Sequence, residues 1–401
     1  MAVPLRRSLP WIALCGVLAI LGSGLLVEAH RETTDPGDSD AIAFAAGANL
    51  VVTDPQHLYD QTSQERVETR LLNIPASTGF IDPFTNLAAG ALILSPLARV
   101  NLLAGSAIEA LLSLALIAGA LLIAVRLLAP VASRPLRLLI AVSAVLSLSA
   151  VSAVIQWDSL MAAALLGSVL LAERRHYVWA GVLLATLVLK PQVVWLVVPA
   201  LVAAGSWRYL EGLLLGIAGW IGVSLLAAGP HALLALGQVI AQTYPGQAGN
   251  SVGLPSLVSD VTGSGSLGFV VAAGLGVLAT VLLMWRRRAL DDRPVVAVAL
   301  GIALSLLCAP HVSAEDLMLV TLPVVVLARH WPMLALSEAL AFSVVEFAQL
   351  QLPPGDRHFE PFVLAALTIT LVLLIVRPRH LVARRTSLQL HARVAADTGV
   401  A

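Results

Sequence analysis

The chain has 401 residues, 58% of them hydrophobic and 12% charged, with 24 basic and 24 acidic side chains in formal balance. A soluble domain carries about 25% charged residues, so this share leaves too little polar surface for a water-soluble particle and too much apolar content for a disordered chain. Neutrality leaves no basic surplus for nucleic acid, and Cys15 and Cys308, each in an apolar run and forming no CxxC, point to neither a disulfide framework nor a zinc site.

The bilayer is then the solvent, and each crossing needs roughly 20 apolar residues. Arg6-Arg7 precede an apolar run from Trp11 to Val27 that is longer than a signal-peptide core and is followed by a poor cleavage site, so it reads as a retained first span. Residues 28–86 form the longest polar stretch and carry Asp35, Asp38, Asp40, Asp54, Asp60, Glu65 and Glu68. With Arg6-Arg7 inside, the positive-inside rule puts this first loop outside the cell. Within it, Ala41–Val52 has helical apolar spacing and is expected to lie flat on the membrane as an interfacial helix. Leu87–Val100 is apolar but carries Pro96 and Arg99, which predicts an interfacial or re-entrant segment.

Further apolar runs follow at 107–128, 136–155, 158–172, 177–190, 192–205, 210–229, 267–285, 294–309, 316–328, 332–350 and 360–376. Several are short and are expected to tilt or to stop within the membrane. The arginine clusters at 126–137, 174–175, 208, 286–293, 329 and 377–385 all fall on one side of this map, while the opposite turns are nearly free of arginine. The pattern predicts an all-α, polytopic membrane protein of about twelve crossings with both termini inside. It forms one transmembrane domain over 1–385 and a cytoplasmic tail over 386–401. Lys190 is the single lysine of an arginine-rich chain, a bias that suggests a GC-rich bacterial genome and a plasma membrane.

The cytoplasmic side lacks a P-loop, a GxGxxG after a strand, a G-x-S-x-G and an H-E-x-x-H. Gly274 and Gly276, in a span, read as helix packing. Chemistry concentrates at the outer turns. Asp38-Ser39-Asp40 reads either as a helix cap or as a carboxylate base at the membrane surface, and as a DxD triplet it is also a candidate divalent-metal site. Lys190, in apolar sequence, either snorkels from a span end or faces an anionic ligand. Pro310-His311-Val312-Ser313-Ala314-Glu315-Asp316 joins two apolar runs, with Asp316 entering the next span. Asn250-Ser251 lies in a Gly- and Pro-flanked loop, and Glu338 and Glu346 share a helix face.

Taken in order, these pieces resemble a family. Asp40, Phe44, Gly47-Ala48 and Leu58-Tyr59-Asp60 follow a single span, and a segment ending Ser95-Pro96-Leu97-Ala98 comes next. Gln156, Gly181 with Lys190-Pro191, Asn250-Ser251 and Pro310-His311 with Asp316 complete the order. The arrangement, over about residues 10–375, resembles glycosyltransferase family 87. These are integral membrane enzymes of the GT-C type that use polyprenyl-phosphate sugars and include α-1,2-mannosyltransferases. The family's Gly-Gln-x-Asn-like turn is reduced here to Gln156-Trp157-Asp158-Ser159, its Asn-Gln-Ser element to Asn250-Ser251, and its tyrosine after the first acid is Phe44.

The resemblance implies transfer of a sugar, mannose in the best-known members, from a polyprenyl-phosphate carrier to a glycolipid or polysaccharide acceptor at the outer face. In that scheme Asp40 is the general base and the transfer inverts the anomeric centre. Lys190 and His311 hold the donor phosphate, Asp316 orients His311, and Asp38, Asn250 and Tyr59 support the site. The roles of His311 and Asp40 are also open to exchange. The cofactor expected, if any, is a divalent metal on Asp38 and Asp40. The rival reading is a secondary transporter or a lipid or glycolipid flippase, with Lys190, Glu338 and Glu346 as ion or substrate sites. Such folds commonly carry internal repeats, and the sequence contains no convincing one.

Overall fold

The computed structural model describes residues 22–24, 26–27, 30, 40–75, 82–145, 156–247, 253–313, 315–350 and 360–376. Most of the first span, Asp38, the second half of the 136–155 run, Asn250-Ser251 and the tail over 386–401 lie outside the described residues. The described elements are all helical: α1 Asp40–Thr53, α2 Gln61–Leu72, α3 Ala88–Leu94, α4 Leu102–Leu127, α5 Arg134–Val145, α6 Asp158–Glu173, α7 Tyr177–Leu184, α8 Val197–Ala203 and α9 Trp207–Ala228. They continue with α10 Pro230–Gln247, α11 Leu254–Thr262, α12 Gly265–Trp285, α13 Arg287–Leu290, α14 Pro294–Cys308, α15 Thr321–Ala328, α16 Pro332–Leu350 and α17 Glu360–Val376. Short 3-10 segments at Pro55–His57, Ser95–Arg99, Ala185–Leu189, Pro191–Val193 and Glu315–Val320 mark the breaks between them.

Among the described residues, three helices are long and apolar enough to cross a membrane: α4, α9 and α12. Other apolar helices, α1, α14 and α17 among them, are shorter, at 14–17 residues. Their shortness has a structural use. The fifteen residues of α14 reach only about 22 Å at 1.5 Å per residue, against a hydrocarbon core of about 30 Å. If its Arg293 end is anchored at one interface, its Cys308 end stops inside the opposite leaflet. The same holds for the pair Tyr177–Leu189 and Pro191–Ala203, which meet at Lys190. Broken backbone at that depth is tolerated only where protein satisfies it. Here the Ser305 Oγ accepts from the Leu196 amide at 3.1 Å, and the Thr321 Oγ1 donates to the Ala144 carbonyl at 2.9 Å.

One end of the bundle is built from arginine. Arg329, just after α15, pairs with Glu173 at the end of α6 and donates to the Leu127 carbonyl at the end of α4 at 3.1 Å. Three helix C-termini therefore gather there, where a cation suits the helix dipoles. Trp179, Trp207 and Trp285 are exposed near the arginines of this end, as expected of aromatic side chains at a membrane interface. The tightest helix pair is α7 against α9. A Cβ on Gly181 would strike the Tyr209 carbonyl and one on Gly212 would strike the Val178 carbonyl, so only glycine admits this approach. Tyr209, fully buried, ties its hydroxyl to Ser168 of α6, which in turn donates to the Ala180 carbonyl at 2.8 Å. Of the two glycines expected to pack in a span, Gly276 faces Trp195 and Gly274 faces open space.

The first loop differs from expectation. Ala41–Val52 does not lie on a surface: Ala41, Ile42, Ala43, Phe44, Ala46, Ala48, Leu50 and Val51 are all buried, and the helix packs among α2, α3 and α4. The reason is that α1 is apolar on every side, and a helix of that kind seeks a core. The polar work falls to α2, whose Gln64 and Glu68 point inward and are fully buried. Gln64 donates to the Leu58 carbonyl at 2.7 Å and accepts from the Phe84 amide at 3.0 Å, while Glu68 accepts from the Asp82 amide at 3.1 Å. These bonds fasten the extended 82–87 segment over α1. Burial pushes the Glu68 carboxyl up to about 7.

Candidate active site

Opposite the arginine end, the N-terminus of α6, the Lys190 break and the start of the 315–320 turn converge. Lys190 is buried there, and its Nζ lies 2.7 Å from Asp158 Oδ2, 2.9 Å from Asp316 Oδ1 and 3.6 Å from Glu315 Oε1. Asp158 and Asp316 are fully buried. Asp316 uses its second oxygen to accept from the Ser313 amide at 2.8 Å. Asp158 Oδ1 is buried with no hydrogen-bond partner among the described residues.

Lys190, expected to face an anionic ligand, lies here against protein carboxylates. Its charge is committed to carboxylates of α6 and of the 315–320 turn, and a phosphate brought to it would meet three acidic groups. The physical reason is the low dielectric of the site: a lone buried ammonium is too costly to leave unpaired, so the fold supplies its counterions. Asp316 and His311, expected to act together, are linked through Ser313. Asp316 binds Lys190 and the Ser313 amide, and it is the Ser313 hydroxyl that lies 3.3 Å from His311 Nε2. His311 itself is half-buried at the same end.

Asp40 is the first residue of α1 and is exposed, where the positive end of the helix dipole favours its charge. Gln156 donates its side-chain amide to Asp40 Oδ2. Gln156, Trp157 and Asp158 are consecutive, so one short turn ties the exposed carboxylate to the buried ion cluster. Trp157 packs edge-on against Phe44, one turn along α1 from Asp40, with centroids 5.6 Å apart. Phe44 meets Phe84 at 6.1 Å, also edge-on, and Phe84 stacks on Tyr59 at 6.3 Å. The α1 backbone comes close to this aromatic group at Gly47, where a Cβ would sit 2.7 Å from the Phe84 ring.

Tyr59 lies behind this aromatic group, its hydroxyl donating to the Asn86 carbonyl at 2.7 Å. Asp38 and Asn250 lie outside the described residues. Among the described residues no three His, Cys, Asp or Glu side chains form a group suited to a metal ion. Glu338 is set apart, bonded to Thr370 across α16 and α17.

Two residues of this site were quoted from the sequence as part of the outer turn but given no role there: Gln156, which bonds Asp40, and Asp158, which binds Lys190. A signal for Asp158 is present in the sequence. Like Asp316 it opens an apolar run, and two acids entering spans in a chain with one lysine invite a pairing. Nothing in the sequence alone pairs Gln156 with Asp40, 116 residues away.

A family model described as glycosyltransferase family 87 matches residues 84–310, more than half of the chain. The chain belongs to this family. It is thus a glycosyltransferase, and its long apolar helices make it a membrane protein. Neither a curated protein nor a solved structure matches it. The part of the glycosyltransferase that matches contains Gln156, Asp158 and Lys190, while Asp40 precedes it and His311 and Asp316 follow it.

Proposed function

We propose that this glycosyltransferase moves a sugar, mannose in the first instance, from a polyprenyl-phosphate carrier to a glycolipid or polysaccharide acceptor on the outer face of a bacterial plasma membrane. The observation that carries the reading is Asp40: an exposed carboxylate at a helix N-terminus, held by Gln156, beside a buried ion cluster at the end of the bundle away from the arginines. The arginine end is the cytoplasmic end by the positive-inside rule, which puts Asp40 and His311 outside. The architecture is then of the GT-C type, with about twelve apolar segments, several of them broken partway through the bilayer.

The chemistry follows from the positions. A polyprenyl tail stays in lipid while its phosphate-sugar head reaches the outer end of the bundle, so no nucleotide site is needed. Asp40 removes the proton of the acceptor hydroxyl as that oxygen attacks the anomeric carbon. The bond from that carbon to the phosphate oxygen breaks, and the lipid phosphate leaves with the electron pair. Attack from the face opposite the phosphate inverts the centre. His311, at the same end of the bundle, stabilises the departing phosphate in this scheme. Lys190 acts at one remove: by holding Asp158 it fixes the turn that presents Gln156 to Asp40. Asp38 completes a metal site with Asp40 if the enzyme uses a divalent ion.

The test is transfer by purified protein in lipid, with radiolabelled polyprenyl-phosphate mannose against GDP-mannose as donor and membrane lipid extract as acceptor. Turnover is expected with the lipid-linked donor alone. Asp40→Asn removes the proton acceptor but keeps the size and the amide contact, and loss of a general base costs about 10²–10⁴-fold in rate. Direct use of GDP-mannose, or wild-type rates in Asp40→Asn, would overturn the donor and base assignments respectively.

A further inference from the structure

The charges around Lys190 do not balance. Two fully buried carboxyl groups, Asp158 and Asp316, share one ammonium at 2.7 and 2.9 Å, and Glu315 adds a third acid at 3.6 Å from the less buried edge of the cluster. With both aspartates ionised, the buried part would hold a negative charge without a counterion, which is costly in a low-dielectric interior. The carboxyl groups of Asp158 and Asp316 also lie within hydrogen-bonding reach of each other. A carboxylate is an acceptor only, so two of them can meet in a hydrogen bond only when one holds a proton. Carboxyl groups this close do not both ionise and share a single proton instead.

We propose that the cluster holds one proton, resident on Asp158 and donated toward Asp316, and that Asp158 is thereby a neutral positioning residue for the turn that presents Gln156 to Asp40. The surroundings choose which acid keeps the proton. Asp316 has donors on both oxygens, Lys190 on Oδ1 and the Ser313 amide on Oδ2 at 2.8 Å, and donors to a carboxylate favour its charged form. Asp158 has Lys190 on Oδ2, while its buried Oδ1 has no donor. A proton on Oδ1 makes that oxygen a donor to Asp316 and leaves Oδ2 to accept from Lys190. The buried charges are then equal: one ammonium, one carboxylate and one neutral acid. The neighbouring elements leave this balance unchanged. α4 contributes Ser113, bonded to Ser159 at 3.2 Å, and the turn before Glu315 contributes the Ser313 hydroxyl, 3.3 Å from half-buried His311. The inference rests on Gln156 orienting Asp40 as the base of the transfer. An ionised Asp158, two residues from Gln156, would add negative charge to the end of the bundle where the donor phosphate arrives.

Infrared spectroscopy of the full-length protein in an ester-free detergent tests the proton directly. Aspartate isotope-labelled at its carboxyl carbon should shift a carboxylic-acid C=O band at neutral pH, which separates an aspartic acid from any protonated glutamic acid. The shifted band should be lost in Asp158→Asn. That variant puts a neutral amide where a neutral acid stood and should unfold near the temperature of the parent, whereas Asp316→Asn removes the counterion of Lys190 and should unfold well below it. Asp158→Leu loses the bond to Lys190 and should lower kcat about tenfold with donor KM unchanged, and the Asn variant should recover most of that loss. Absence of the labelled acid band in the parent, its persistence in Asp158→Asn, or equal destabilisation of the two Asn variants overturns the proposal. So does a parent that a chelator destabilises and a divalent ion restores, because a metal would then supply the missing charge. The infrared readout requires no turnover. If Asp40→Asn retained full transfer while the band behaved as expected, the base assignment would fail and the proton on Asp158 would stand.

Discussion

Replacing Lys190 with methionine tests the ion cluster directly. The side chain keeps its length and apolar stem but loses the ammonium that lies 2.7 Å from Asp158 and 2.9 Å from Asp316. Both carboxylates are fully buried, and Asp158 already has one oxygen without a hydrogen bond. Removing one partner of a buried pair costs about 3–5 kcal/mol, because the remaining charge stays desolvated and unpaired. We expect Lys190→Met to lose stability in that range, measured by reversible denaturant titration in mixed micelles. A control separates charge from packing. The triple variant Lys190→Met, Asp158→Asn, Asp316→Asn removes both sides of the pairing and should recover most of the loss, since an apolar or neutral replacement of a buried ion pair is often close to neutral. A single variant within about 0.5 kcal/mol of the parent, the range of an ordinary surface change, would refute the account of Lys190 as a buried counterion.

Gln156→Leu should slow transfer about tenfold with little change in donor KM, because Asp40 loses the amide that fixes its orientation, a bond to a charged group worth about 1.5–3 kcal/mol; equal rates in the variant and the parent would remove Gln156 from the site. Burial raises the Glu68 carboxyl to about 7 in the folded protein, so its contribution to stability is fully present below the unfolded value near 4.3 and is lost as pH rises through 7. Glu68→Gln should flatten the pH dependence of thermal unfolding between about pH 5 and 8, and an unchanged slope would contradict it. On sidedness, a cysteine at Asp60 should react with an impermeant thiol reagent on intact cells and one at Arg287 should not; the opposite labelling would invert the proposed map.

The sequence by itself determined what its composition and periodicity can express. Apolar content and the placement of arginine made the chain a helical membrane protein, and Arg329, Glu173 and the end of α4 do meet at one end of the bundle. The apolar runs 107–128, 210–229 and 267–285, a local pattern that needs no knowledge of neighbours, coincide with the long helices Leu102–Leu127, Trp207–Ala228 and Gly265–Trp285, whose starts lie two to five residues earlier. The ordered motifs around Asp40, Gln156 and Lys190 likewise expressed the family, because spacing along the chain survives without coordinates.

Pairing was decided only by the tertiary structure. Lys190 reads in sequence as a lone cation, and its partners stand 32 residues before it and 126 after it. α1 reads as a surface helix because a short apolar helix after a polar loop has two environments open to it, bilayer interface and protein interior. Which one it occupies depends on whether α2, α3 and α4 enclose it, and they do. Asp316 and His311 are five residues apart; the fold turns Asp316 to Lys190, whose buried ammonium needs its charge, and Ser313 bonds to both Asp316 and His311. Long-range electrostatics in a low-dielectric interior set these choices, and linear spacing carries no record of them.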